Sequence, residues 1–180
     1  ITGTYDDLDT VYVSGKAGFS NLGNETVEIT AGTTNSAARV DSILKATTGV
    51  VTADVTAASA SDLVQSLKNA KNDALGLEIT ATETKASDLK ILDAKTSKVI
   101  DADSISKLVG NAADVKAVLA SKTGIKIDAA EVIDVTGKIS IADANTITSG
   151  TTGIVTAEVT AGTAAALNSG LISDAAANAL

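Results

Sequence analysis

A pattern that recurs about every 52 residues constrains the fold of this chain more strongly than any other feature of its sequence. Each occurrence has a small residue, then Thr, Ser or Asn, and an aliphatic residue five positions after the small one. The aligned segments are residues 1–8, 56–63, 108–115 and 160–167. Such a period is typical of folds in which each unit buries its apolar face against the next unit.

The alignment divides the chain into repeats 1–55, 56–107 and 108–159 and a partial repeat 160–180. Each repeat splits again into halves of about 26 residues, in which a Val/Ile/Thr segment precedes a polar-start, Ala-rich segment. Because residues 160–180 repeat the opening of the chain and neither end shows a polar capping unit, we expect both ends to fall inside repeats of a longer protein.

Apolar and polar residues alternate at the start of the half-units. In residues 51–56 the apolar side chains Val51, Ala53 and Val55 alternate with polar ones, and residues 155–160 follow the same pattern. Successive side chains of a strand point to opposite faces, so this alternation predicts strands with one buried face.

The segments that follow have the spacing of amphipathic helices. Ser59 or Ser61 can cap one helix and Asn111 the next. Gly76 and Gly124 lie where these helices are predicted to end, as glycines after a C-terminal cap do. The predicted apolar stripes are Leu63, Leu67, Ala70 and Ala74 in one helix and Ala112, Val115, Val118 and Leu119 in the other.

The second helix of each repeat has a weaker pattern. Its signal is one pair of apolar residues three positions apart, which predicts as little as a single turn. The pairs are Val40 with Ile43, Leu89 with Leu92, and Ala144 with Ile147.

Strands joined by helices pair in parallel through crossover connections. Identical units would extend such a sheet along one axis, so we predict an α/β solenoid of strand–helix units with a parallel sheet. A parallel β-helix, in which the helices are reduced to short turns, is the alternative. Aromatic residues are only 2% of the chain, and a core of small aliphatic residues suits such thin layers.

Composition excludes several classes of function. The net charge of −8 repels nucleic acid and anionic membranes, and no apolar run approaches the roughly 20 residues of a membrane-spanning helix. The chain has no Cys and no His, and its acidic residues recur at equivalent repeat positions such as Asp54, Asp103 and Glu158. An active site is usually unique, so we predict that the protein is not an enzyme, has no organic cofactor, binds no nucleic acid and does not insert into a membrane.

Calcium is the one candidate cofactor. Asp6, Asp7 and Asp9 cluster after a Gly-Thr pair, and hard oxygen ligands of this kind suit Ca²⁺. Neither an EF-hand loop nor the glycine-rich nonapeptide of calcium-binding β-helices is present. Solvated surface charge is the competing interpretation of these three residues.

Residues 49–63, 98–115 and 153–167 share the pattern Gly-x-Val-(Thr/Asp)-Ala-x-(Val/Ile)-Thr, then Gly-(Thr/Asn)-Ala-Ala-(Asp/Ala)-(Leu/Val), with small variations. This pattern resembles the Ala/Thr/Asp-rich tandem repeats of very large bacterial extracellular proteins, such as cyanobacterial cell-surface giants. The resemblance implies an extracellular, surface-attached or filament-forming protein, often calcium-associated, that acts in adhesion, motility or a cell-envelope layer such as an S-layer. It implies no catalytic residues.

We therefore predict a structural or adhesive repeat segment of a bacterial cell-surface or filament-forming protein that self-associates through stacking of its repeats. The alternative is a calcium-, glycan- or ice-binding module of a secreted adhesin. Ice binding would use the polar strand face with Thr52, Thr56, Thr156 and Thr160, although Asp54 and Glu158 interrupt that array.

Overall fold

A computed structural model describes residues 1–30 and 35–171. Within these residues the chain is an α/β fold with parallel sheets and seven α-helices, as the sequence predicts at this level. The end of the predicted partial repeat, residues 172–180, lies outside the described residues, as does the Ala31 that belongs to the pattern of the first repeat.

The helices are α1 (Tyr5–Asp9), α2 (Ala37–Ala46), α3 (Ala60–Ser66), α4 (Ala86–Asp93), α5 (Ala112–Ala120), α6 (Ile141–Thr148) and α7 (Ala164–Gly170). A π-helical turn, Thr10–Ser14, and a 3₁₀ turn, Lys16–Gly18, follow α1. The strands are β1 (Thr2–Gly3), β2 (Val27–Ile29), β3 (Val51–Asp54), β4 (Ala74–Gly76), β5 (Glu83–Lys85), β6 (Ile100–Asp101), β7 (Lys107–Asn111), β8 (Ile125–Lys126), β9 (Val132–Ile139) and β10 (Val155–Val159).

Strand pairing in the described residues is parallel throughout. One sheet has the order β1-β2-β3-β4, a second has the order β10-β9-β7-β5, and β6 pairs with β8. Paired residues are 20–26 positions apart along the chain, as in Val27 with Val51 and Lys107 with Val132. Consecutive helices also contact each other from α1 to α7. Each strand–helix unit therefore packs mainly on the units before and after it in sequence.

The predicted alternation of the strands is confirmed. Val51, Ala53 and Val55 are buried, whereas Asp54 and Thr56 are exposed. Residues 155–160 repeat this arrangement, with Val155 and Ala157 buried and Thr156, Glu158 and Thr160 exposed. The inward side chains join one continuous apolar core of mostly small aliphatic residues.

The small-then-polar pair in the aligned segments marks the beginnings of four helices. In each, the polar residue is the N-cap, and its side chain accepts a hydrogen bond from the backbone N–H three residues later. The capping residues are Thr4, Ser59, Asn111 and Thr163. Asn111 is thereby confirmed, and Ser59 is the cap rather than Ser61.

The second helix of each repeat is confirmed and is longer than the single turn that its weak pattern gave as the minimum. Helices α2, α4 and α6 have 10, 8 and 8 residues, and their predicted apolar pairs are completely buried. Each packs between two neighbouring helices, and this packing extends it beyond what its own pattern predicts. Ser36 and Ser140 cap α2 and α6.

The two predicted helix-ending glycines have a different role. Helix α3 ends at Ser66 and α5 at Ala120, several residues before Gly76 and Gly124, and Ala74 lies in β4 rather than in a helix. The carboxylate of Asp54 lies against Gly76 and that of Asp93 lies against Gly124, so a Cβ at either glycine would require the carboxylate to shift. These glycines leave room for acidic side chains of neighbouring units.

Candidate functional site

The three acidic residues predicted to bind calcium lie on or at the end of α1, and each of their side chains bonds to a different residue. Asp6 pairs with Arg39, Asp7 accepts the Thr4 hydroxyl at 2.7 Å, and Asp9 accepts the Tyr5 hydroxyl at 3.0 Å. Asp7 completes the capping box of the helix. In residues 1–30 and 35–171, no group of three His, Cys, Asp or Glu side chains is placed to hold a metal. Calcium binding stays a prediction.

Ion pairs link one unit to another, and all but the pair of Lys98 with Asp54 join neighbouring units. All eight pairs among the described residues join side chains 20–44 positions apart in sequence. Lys107 on β7 lies 3.3 Å from Glu83 on β5 and 3.0 Å from Asp134 on β9, so one ammonium group spans three adjacent strands. Hydrogen bonds to Asp134 and Glu83 raise the pKa of Lys107.

Buried polar side chains make a second set of links where strands begin. Asp73 is 6% exposed and accepts the backbone N–H groups of Val51 and Lys71, both at 2.8 Å. Thr96 both donates to the Leu75 carbonyl at 2.7 Å and accepts the Leu75 N–H at 3.1 Å. Each side chain therefore replaces backbone pairing between consecutive units.

Sequence reasoning missed these linking residues because Asp and Thr are usually exposed. A further link of this kind does have a signal in the sequence, the Thr-Thr-Gly triplet at 47–49 and 151–153. Its first Thr is buried in both places and donates to a carbonyl of the preceding unit, Glu25 for Thr47 and Ala129 for Thr151.

A cavity of about 300 Å³ opens between the end of α5 and the segment that leads into β9. Its walls are mainly aliphatic, with charged side chains among the lining residues. The lining residues are Val118, Leu119, Lys122, Ile125, Lys126, Ile127, Asp128, Ala129, Glu131 and Gly150. This volume lies at the lower end of the range of small-molecule sites.

Glu131 gives this cavity its chemistry. The residue is 4% exposed, and neither carboxyl oxygen has a hydrogen-bond partner in the part of the chain that the structure describes. Burial raises the pKa of the Glu131 carboxyl, and the nearby Asp128 raises it further, outweighing the opposite effect of its own backbone amide. A buried carboxyl without a partner is costly, so this site is the strongest candidate for ligand binding.

The predictions from sequence did not include Glu131. Its position before an alternating strand is typical of a solvated charge, and only the fold places it against α5. The second carboxyl group of the cavity, Asp128, accepts the Ala130 N–H at 2.9 Å and is exposed.

Comparison with known proteins assigns neither the fold nor the cavity. No protein-family model, curated protein or solved structure matches this chain. In the described residues no helix is long and apolar enough to cross a membrane.

Proposed function

We propose that this chain is a structural segment of a solenoid, a stack of strand–helix units within a bacterial cell-surface or filament-forming extracellular protein. Ion pairs, strand pairs and helix contacts between consecutive units support this proposal. A chain organised in this way extends by adding units and needs no closed core.

The observation that carries the proposal is the buried bond network between units. Asp73 accepts the Val51 N–H, and Thr96 bonds to both the N–H and the carbonyl of Leu75, so each side chain is tied to the backbone of the preceding unit. Such groups cost free energy to bury, and here they fix one unit in register with the next. A fixed register between units suits a protein that bears mechanical load or acts as a spacer rather than one that converts a substrate.

Self-association is part of the proposal. Among the described residues β1 is the outer strand of its sheet. The carbonyl groups of Ile1 and Gly3 accept the N–H groups of Glu28 and Thr30, so the N–H and C=O of the intervening Thr2 point away from β2. An outward row of this kind is a template for another strand. We propose that one more strand–helix unit adds there, which a preceding repeat supplies in a longer array and a second copy supplies for the 180-residue chain by itself.

Light scattering coupled to size-exclusion chromatography tests this role. We expect the mass to rise above 17.8 kDa as concentration increases. Thr2→Pro removes the outward N–H and should lower the mass, whereas the matched control Thr2→Val keeps that N–H and should behave as the parent does. Both variants lose the bond from the Thr2 hydroxyl to Glu28, so that bond cannot explain a difference between them. A constant 17.8 kDa for the parent chain at all concentrations would contradict self-association.

A further inference from the structure

The cavity beside Glu131 has a counterpart near the beginning of the chain. Thr47 and Thr151 each accept the backbone N–H of the glycine two residues later, at 3.0 and 2.9 Å. Those glycines, Gly49 and Gly153, lie against the carbonyl groups of Glu25 and Glu131 respectively. Strand pairing agrees, because Val27 pairs with Val51 as Ile133 pairs with Val155. Glu25 and Glu131 therefore occupy corresponding positions.

Three donors satisfy the Glu25 carboxylate in the first of these places. It accepts the N–H of Gly23 at 2.8 Å, the N–H of Asn24 at 3.2 Å and the hydroxyl of Tyr12 at 3.2 Å. Tyr12 is 1% exposed, so its ring fills the space beside the carboxylate. The backbone N–H of Gly23 is the largest of the effects that lower the pKa of Glu25.

The second place lacks these donors. The repeat alignment that matches Leu8 with Val115 puts Leu119 at the position of Tyr12, and Leu119 lines the cavity without offering a hydroxyl. The counterpart of the Asn24 N–H, that of Ala130, donates to Asp128 instead. Glu131 therefore has a cavity beside its carboxyl group, where Glu25 has the ring and hydroxyl of Tyr12.

We propose that this cavity is a binding site for small phenols, with the ring among Val118, Leu119, Ile125 and Ile127 and the hydroxyl donating to the Glu131 carboxylate. The ligand supplies what Tyr12 supplies to Glu25 within the chain. The aliphatic walls favour a flat apolar body, and the carboxylate favours a ligand with one hydrogen-bond donor. This inference is independent of the proposed structural role, since residues of one copy of the chain line the cavity.

The test is a titration of the full chain followed by amide NMR, with phenol, toluene and benzylamine as separate probes. Phenol should shift the amide signals of Leu119, Ile127 and Glu131 saturably, with a Kd of about 1 mM or below. Toluene has the ring but no donor and should bind about ten- to a hundredfold more weakly, because the buried carboxylate then stays unpaired.

Two variants keep the test decisive. Glu131→Leu removes the acceptor and the buried carboxyl together, so it should fold well and lose the preference for phenol over toluene. Leu119→Tyr should fill the cavity, raise the melting temperature and abolish binding of both probes. If Leu119→Tyr fails to fold, Glu131→Leu alone decides the question.

Three results would overturn the proposal. They are the absence of saturable shifts with phenol, equal affinity for phenol and toluene in the parent chain, and benzylamine binding at least tenfold more tightly than phenol, which would indicate a cation site. None of them bears on the light-scattering result, so failure here is distinguishable from failure of the structural role.

Discussion

Replacement of Asp73 by Ala measures what one buried link between units contributes. The Asp73 carboxylate accepts two backbone N–H groups, and one of them belongs to Val51, which is completely buried. A hydrogen bond to a charged group contributes about 1.5–3 kcal/mol, and an orphaned buried donor costs about 1–3 kcal/mol. The Lys71 N–H is partly exposed and can bond to water. We expect a loss of about 3 kcal/mol in the free energy of unfolding.

Urea denaturation followed by circular dichroism gives this value. With a slope of about 2 kcal/mol per molar urea, the midpoint should fall by about 1.5 M, and the melting temperature should fall by about 6–12 °C. Asp73→Asn keeps one acceptor and should lose an intermediate amount. The control is Asp54→Ala, because the Asp54 side chain is 77% exposed and pairs with Lys98 at 3.2 Å, which predicts a change within about 0.5 kcal/mol. Equal effects of Asp73→Ala and Asp54→Ala would refute the reasoning.

Three further predictions use the same unfolding assay. Leu89→Ala should cost about 2–5 kcal/mol because Leu89 is completely buried, whereas Ile91→Ala, at a side chain 43% exposed, should change stability by about 0.5 kcal/mol. Asn111→Ala removes the N-cap of α5 and should cost about 1 kcal/mol; no loss would show that the cap is dispensable. Burial raises the pKa of Glu131 in the folded protein above its value of 4.5 in the unfolded chain. The folded protein therefore keeps the Glu131 carboxyl protonated to higher pH than the unfolded chain does. The free energy of unfolding should fall as pH rises from 4.5 through the raised pKa. Glu131→Gln should remove this loss, and a pH profile identical to that of the parent chain would contradict it.

Local patterns predicted the strands and the helix beginnings because both are decided by neighbouring residues. The alternation of residues 51–56 fixes which face is buried, and the side chain of Asn111 can reach the N–H of Asp114 whatever the rest of the chain does. The α/β class and the parallel pairing follow from such elements in alternation.

Helix lengths and the buried hydrogen bonds between units depend on contacts between units. The local sequence pattern of one unit does not reveal those contacts. The single apolar pair in α2 predicted as little as one turn, and the helix is longer because α2 packs against both α1 and α3. The Asp54 side chain of the preceding unit approaches Gly76, a contact that the neighbours of Gly76 in sequence do not reveal.

The cavity could not be predicted for a related reason. Leu119 appears in the sequence as one more residue of an apolar stripe, and Glu131 as one more surface acid. Only the contacts of Glu25 with Tyr12 show what is missing around Glu131.

The central claim is that the fold is an open stack of units, and inserting a second copy of residues 108–159 between Val159 and Thr160 tests it most directly. An open stack has a place for the added strands and helices, so the denaturant slope of the longer chain should rise about 1.3-fold in proportion to the surface buried, with an unchanged or higher midpoint. A slope equal to that of the parent chain, with a lower midpoint, would mean that the insert stays unfolded and that the fold is closed.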